Sequence, residues 1–124
     1  MGLDMRLILA KSKEEIEQYE LAEWEDSHDE ALFETDLSTI QRPYQVWYAR
    51  KFWDMMYGMS FLCDYECGDY CRLSKNDLKE MIDFYSYHPD YFYGFDGLPR
   101  LCELYQVFSS LTNAGLNLYF EADW

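Results

Sequence analysis

The sequence predicts one α+β domain over residues 1–124, a small, mainly antiparallel sheet that includes both terminal strands, with about four helices packed against one face of it. Alternation of apolar and polar residues at both ends of the chain indicates the strands. Apolar residues three or four positions apart between the ends indicate the helices. A chain of 124 residues, 49% of them hydrophobic, has the size and apolar content of a single packed core.

The strands at the two ends of the chain are the clearest predicted elements. Residues 1–10 place apolar side chains on one face, with Asp4 and Arg6 on the other. Residues 116–124 have the longest period-two alternation in the chain. Because both strands are predicted to be half-buried, we expect them in one sheet, with direct pairing as one arrangement. The predicted inward residues are Leu3, Met5, Leu7, Leu9, Leu116, Leu118, Phe120, Ala122 and Trp124.

A capping box predicts where the first helix begins. Ser12 and Glu15 have the spacing at which a hydroxyl and a carboxylate satisfy the free N–H groups of a helix start. We expect this helix to run to about Trp24 and to bury Ile16 and Tyr19.

Two further helix signals follow in the first half of the chain. Ser27 with Glu30 repeats the capping signature more weakly. Pro43 suits the first turn of a longer helix that ends near Gly58. Apolar residues surround most of this helix, so we expect it to be central. They are Tyr44, Val46, Trp47, Tyr48, Phe52, Met55 and Met56.

The second half of the chain contains two more predicted helices. Ser74 caps the first, and the second starts near Pro99 and stops at residues 113–115. Short strands are predicted at residues 70–73 and 91–95. The apolar stripes of the two helices are Leu78, Met81, Ile82 and Tyr85, and Leu101, Leu104, Tyr105, Phe108 and Leu111.

The chain is strongly acidic, with 24 Asp and Glu against 10 Lys and Arg and a formal net charge of −14. We therefore expect no direct binding to nucleic acid or to an anionic membrane, since such partners require a surplus of Lys and Arg. No apolar run approaches the length of about 20 residues that spans a bilayer. Residues 1–9 lack the basic segment that opens a signal peptide, so we expect a cytosolic protein.

The cysteines carry no zinc signature. Cys63, Cys67 and Cys71 are spaced by four, whereas zinc sites contain close Cys-x2-Cys pairs. Reduced, partly buried thiols are the favoured interpretation for a cytosolic chain. A metal site at the three cysteines and a disulfide remain as alternatives.

Most of the negative charge is concentrated in one stretch. Residues 14–36 contain 11 acids and no Lys or Arg, although packed like charges repel one another. The stretch is either a solvated face or a surface complementary to a basic one on another protein. Binding of a hard cation is a third alternative, without the usual Asp-x-Asp-x-Asp-Gly pattern. The candidate partner-binding residues are Glu14, Glu17, Glu20, Glu23, Asp26, Asp29 and Glu30.

Aromatic residues are concentrated in residues 85–95. No Lys or Arg lies among them, which disfavours stacking of nucleic-acid bases. The favoured interpretation is alternation between core and rim around a strand, and the alternative is a set of anchors for a protein partner. Tyr91 and Tyr93 are the candidate anchors.

The sequence contains no recognised catalytic motif. It has no Gly-rich phosphate loop, no His-based zinc pattern and no Gly-x-Ser-x-Gly elbow. His88 and Cys102 could form a nucleophile pair only if the fold brought them together. We expect no enzymatic activity, no cofactor and no metal.

Five segments, in order along nearly the whole chain, resemble one protein family. The opening Met-Gly-Leu-Asp-Met is similar to the Met-Gly-Leu-Asp-Met-Tyr-Leu start of a widespread family of small phage and prophage proteins. Residues 47–51 resemble its aromatic-Arg-Lys helix, and residues 70–78 resemble its strand and Ser-capped acidic helix. Residues 91–94 resemble its aromatic-Gly turn, and residues 118–124 resemble its last strand, which ends in Trp.

The resemblance implies a phage origin and a bacterial host cytoplasm, and it carries over no catalytic residues. Arg6 stands where the family has Tyr, and the acidic stretch is more extreme. By analogy of class, small acidic phage proteins without enzymatic motifs often inhibit host defence, as anti-CRISPR and anti-restriction proteins do.

The expected function is non-enzymatic inhibition of a host defence system. The acidic surface would bind a basic, nucleic-acid-binding surface of a host protein or ribonucleoprotein complex, with nucleic-acid mimicry as one mode. The alternative is a phage accessory or assembly protein that binds a partner through an aromatic surface. The sequence leaves the oligomeric state open.

Overall fold

The sheet of the computed structural model has four antiparallel strands in the order β2-β1-β4-β3. The structure describes residues 3–19, 36–50, 53–87 and 97–124. The strands are β1 (Asp4–Ala10), β2 (Tyr44–Arg50), β3 (Cys71–Arg72) and β4 (Asn117–Asp123). The helices are α1 (Lys13–Gln18), α2 (Trp53–Gly58), α3 (Lys75–Ser86) and α4 (Leu98–Asn113), with single 3-10 turns at Leu37–Thr39 and Ser60–Leu62.

The first and last strands are direct neighbours at the centre of the sheet. β1 pairs with β4 without a break, from Asp4 opposite Asp123 to Ala10 opposite Asn117. On its other side β1 pairs with β2, where the register shifts after Leu7. Such a bulge bends the strand and increases its twist. The predicted α+β fold, with both terminal strands in one antiparallel sheet, is therefore confirmed.

The prediction of one helix from Pro43 to Gly58 is wrong. Among the described residues of this range, Tyr44–Arg50 form β2 and Trp53–Gly58 are helical. Val46, Trp47 and Tyr48, which suggested a helix surrounded by core, instead belong to a strand with buried residues on both faces, and such a strand also lacks simple alternation. Aromatic and β-branched residues such as Trp47 and Val46 favour the extended conformation.

The main core fills the space between one face of the sheet and the helices α2, α3 and α4. Trp47 and Phe120 are its largest fully buried side chains. The Trp47 indole Nε1 donates a hydrogen bond to the Gly97 carbonyl oxygen at 3.2 Å. A Cβ at Gly97 would lie 2.5 Å from that nitrogen, so a glycine is needed for this close approach.

Helix α1 packs on the opposite face of the sheet, although all helices were expected on one face. Ile16 joins Ile8, Ala10 and Tyr119 in a second, smaller apolar cluster. The predicted burial of Ile16 is confirmed. That of Tyr19 is wrong, because the helix ends at Gln18 and the Tyr19 side chain is 54% exposed.

The helices of the second half follow the prediction closely. Ser74 and Asp77 form a capping box at the start of α3, and α4 has Pro99 in its first turn. Gly115, with φ of +85°, provides the left-handed turn between α4 and β4. The predicted strand at residues 70–73 is confirmed as β3. The strand predicted at residues 91–95, and the capping signature at residues 27–30, lie outside the described residues.

Candidate interaction surface

Two of the predicted partner-binding residues lie on α1. Glu14 and Glu17 are both exposed and are separated by three positions, so their side chains are neighbours on the helix surface. The other predicted residues lie outside the described residues. They are Glu20, Glu23, Asp26, Asp29, Glu30, Tyr91 and Tyr93.

Three local interactions hold this short helix in place. The Ser12 hydroxyl accepts a hydrogen bond from the Glu15 backbone N–H at 3.2 Å. The Asn117 side-chain amide donates to the Lys11 carbonyl oxygen at 3.0 Å and so connects the segment before α1 to β4. Ile16 is fully buried between α1 and the sheet. The backbone that presents Glu14 and Glu17 is therefore attached to the centre of the fold.

A buried ion pair lies on the same face of the sheet as α1. Arg6 of β1 and Glu121 of β4 are directly opposite each other and only 4% and 7% exposed. The Arg6 Nε and Nη2 atoms lie 2.6 and 2.5 Å from the Glu121 Oε1 atom, and Nη1 donates to the Gln45 side-chain oxygen at 3.3 Å. Burial raises the pKa of Glu121, and the Arg6 guanidinium opposes that shift. Because the two charges compensate each other, Arg6 does not neutralise the exposed acids of α1.

Tyr70 connects α1 with the loop that precedes β3. Tyr70 packs against the smaller apolar cluster and is hydrogen-bonded to Glu121. Burial raises the pKa of Tyr70, and the nearby carboxylates of Glu121 and Glu17 raise it further. The Glu17 carboxylate therefore lies near the loop before β3. We define the acidic surface as Glu14 and Glu17, the exposed candidate residues of α1.

Three exposed aromatic side chains form a second feature, here named the aromatic patch: Trp53, Tyr57 and Trp124. Their exposed fractions are 36%, 83% and 40%. Trp53 and Tyr57 are four residues apart on α2 and share one face of it. The rings of Trp53 and Trp124 meet edge to face, with centroids 6.3 Å apart. Exposed aromatic rings held against each other are typical anchors of protein interfaces.

A chain of ring contacts connects the aromatic patch with the main core. Trp124 packs against Tyr65 with centroids 6.1 Å apart, and Tyr65 packs against the fully buried Phe120 at 5.5 Å. The Tyr65 hydroxyl accepts a hydrogen bond from the Ala122 N–H at 2.7 Å and donates to the Asp69 carbonyl oxygen at 2.6 Å. These contacts hold the Trp124 ring in one place before any partner binds.

All four cysteines are free thiols. Cys63 and Cys67 are exposed, so the prediction that they are partly buried is wrong for these two. The Cys67 thiol donates to the Asp123 carboxylate at 3.2 Å, and its sulfur accepts from the Trp124 N–H at 3.4 Å. That backbone hydrogen bond lowers the pKa of Cys67, but burial and the Asp123 carboxylate outweigh it and raise the pKa. Cys67 therefore favours the protonated form, which is a weak nucleophile.

A groove of about 640 Å³ lies between α4 and the first 3-10 turn. Lys11, Asp36 and Glu103 supply charges around an apolar lining that includes Val107 and Leu111. The Asp36 carboxylate accepts hydrogen bonds from the Ser38 hydroxyl and N–H, which lower the pKa of Asp36. The groove could hold a small amphiphilic molecule, but these residues form no arrangement of nucleophile and base.

The described residues also contain no candidate metal centre. Within residues 3–19, 36–50, 53–87 and 97–124, no three His, Cys, Asp or Glu side chains are placed to hold a metal ion. Both histidines, His28 and His88, lie outside these ranges, and so the pair of His88 and Cys102 considered from the sequence is not described.

Sequence reasoning missed the aromatic patch. The alternation in β4 placed Trp124 among the inward residues, which is wrong because its side chain is 40% exposed. Trp53 was part of the predicted central helix. No local signal separated these rings from core aromatics, because an acidic neighbour such as Asp123 faces the opposite side of a strand and is compatible with an inward ring.

No protein-family model, curated protein or solved structure matches this chain. The resemblance to the phage family therefore stays a prediction. In the part of the chain that the structure describes, no helix is both long enough and apolar enough to cross a membrane.

Proposed function

We propose that this chain is a phage-encoded, non-enzymatic inhibitor of a host defence complex and acts in the bacterial cytoplasm. Its acidic surface binds a basic, nucleic-acid-binding surface of that complex. The main support is the exposure of Glu14 and Glu17 on a helix that Ile16 attaches to the sheet. These two residues begin a stretch of 11 acids without a single Lys or Arg.

The energetics of like charge also support a binding role. Glutamates three or four positions apart on a helix repel each other by a few tenths of a kcal/mol per pair, so folding itself does not favour such a stretch. A nucleic-acid-binding channel is built to receive about one negative charge per 1.7 Å of duplex axis. Carboxylates on an attached helix can occupy such a channel in place of phosphates, and complementary charge accelerates the encounter.

The first experiment is capture of partners from the lysate of a bacterium that carries several defence systems. We expect capture of a nuclease or guide-RNA complex at low salt and its loss at high salt, since charge-driven contacts are screened. Duplex DNA added at low salt should release the captured complex, because both compete for the same basic surface. Capture that resists both salt and duplex DNA would contradict the proposal.

A pair of charge-reversal variants locates the contact. Glu14→Lys with Glu17→Lys should abolish capture without unfolding the chain, because both side chains are exposed and contribute no buried contact. Asp64→Lys with Glu66→Lys is the matched control, since it makes the same charge change at exposed acids outside α1. Equal losses in the two variants would indicate that overall charge, and not the acidic surface, drives binding.

The aromatic patch supports a second candidate function, a phage accessory or assembly protein. Its contact would be largely apolar and therefore insensitive to salt. Salt-resistant capture of virion or assembly proteins, unchanged in the Glu14→Lys and Glu17→Lys variant, would favour this second function over the first.

A further inference from the structure

We draw no further inference here: the strongest candidate, the groove between α4 and the first 3-10 turn, is lined by charges of both signs from Lys11, Asp36 and Glu103, and nothing in the structure shows what covers its apolar lining.

Discussion

Arg6 and Glu121 show how a single pair of residues selects one arrangement of two strands. They are directly opposite each other in the pairing of β1 with β4, on the face that α1 covers. Since side chains alternate between faces, a slip of one residue would turn Arg6 toward the apolar core while Glu121 stayed behind. A buried pair of this kind contributes more to the choice of register than to net stability.

The first prediction at this scale concerns the loss of one partner. Arg6→Met should reduce the free energy of unfolding by about 3–5 kcal/mol, because the Glu121 carboxylate is left buried without its counter-charge. Urea denaturation followed by circular dichroism measures this directly. A change below about 0.5 kcal/mol, the size of ordinary surface substitutions, would contradict the role assigned to the pair.

The matched control replaces both partners. Arg6→Met with Glu121→Leu should recover most of the lost stability, since apolar residues of similar volume often replace a buried ion pair without net cost. Recovery in the double variant would show that the uncompensated charge, and not the altered packing, destabilises the single variant.

At the scale of secondary-structure elements, the sequence predicts an element correctly when the signals that define it lie within that element. The Ser74 capping box and the stripe of α3 are complete within a dozen residues, so the sequence predicts that helix correctly. For β2, the decisive fact is that Trp47 and Tyr48, on opposite faces of the strand, are both buried. Nothing within residues 43–58 indicates which elements cover them, and so the pattern resembled a central helix.

The prediction for elements tests the cap of α3. Ser74→Ala should lower the free energy of unfolding by about 1 kcal/mol, because the Asp77 N–H loses the hydroxyl that accepts its hydrogen bond. Chemical denaturation measures the change. Ser109→Ala, at an exposed position inside α4, is the control and should leave stability unchanged or slightly raised, since alanine is the better helix former. Equal losses in both variants would rule out a specific effect of the cap.

At the scale of the whole molecule, the net charge of −14 opposes compaction. Screening by salt should therefore stabilise the fold. We expect the melting temperature to rise by about 3–6 °C between 20 and 500 mM NaCl, which corresponds to about 1 kcal/mol for a domain of this size. Differential scanning calorimetry provides the measurement.

A change in charge provides the control for this prediction. Glu14→Lys with Glu17→Lys makes the chain less negative and should reduce the gain from salt. A melting temperature that falls with salt would show instead that attractive pairs, such as Lys79 with Asp83 at 2.5 Å, outweigh the repulsion.

By itself the sequence determined the α+β class, the two central strands, the capped helix α3, the helix α4, and the concentration of acid in residues 14–36. Each of these depends on spacing within one short segment, where the period of the apolar residues reflects the local backbone. It determined the acidic surface but not the aromatic patch, since Glu14 and Glu17 are identified by charge alone.

Only the tertiary structure decided that residues 44–50 form a strand, that α1 covers the second face of the sheet, and that Arg6 pairs with Glu121. It also decided that Trp53 meets Trp124 at the surface. Each of these contacts joins residues far apart in the sequence. Their stabilising free energy comes from burial against other elements, and the residue pattern of one short segment does not identify those elements. Long-range burial is also the reason why the second face of the sheet, which was expected to be polar, carries an apolar cluster and a buried ion pair.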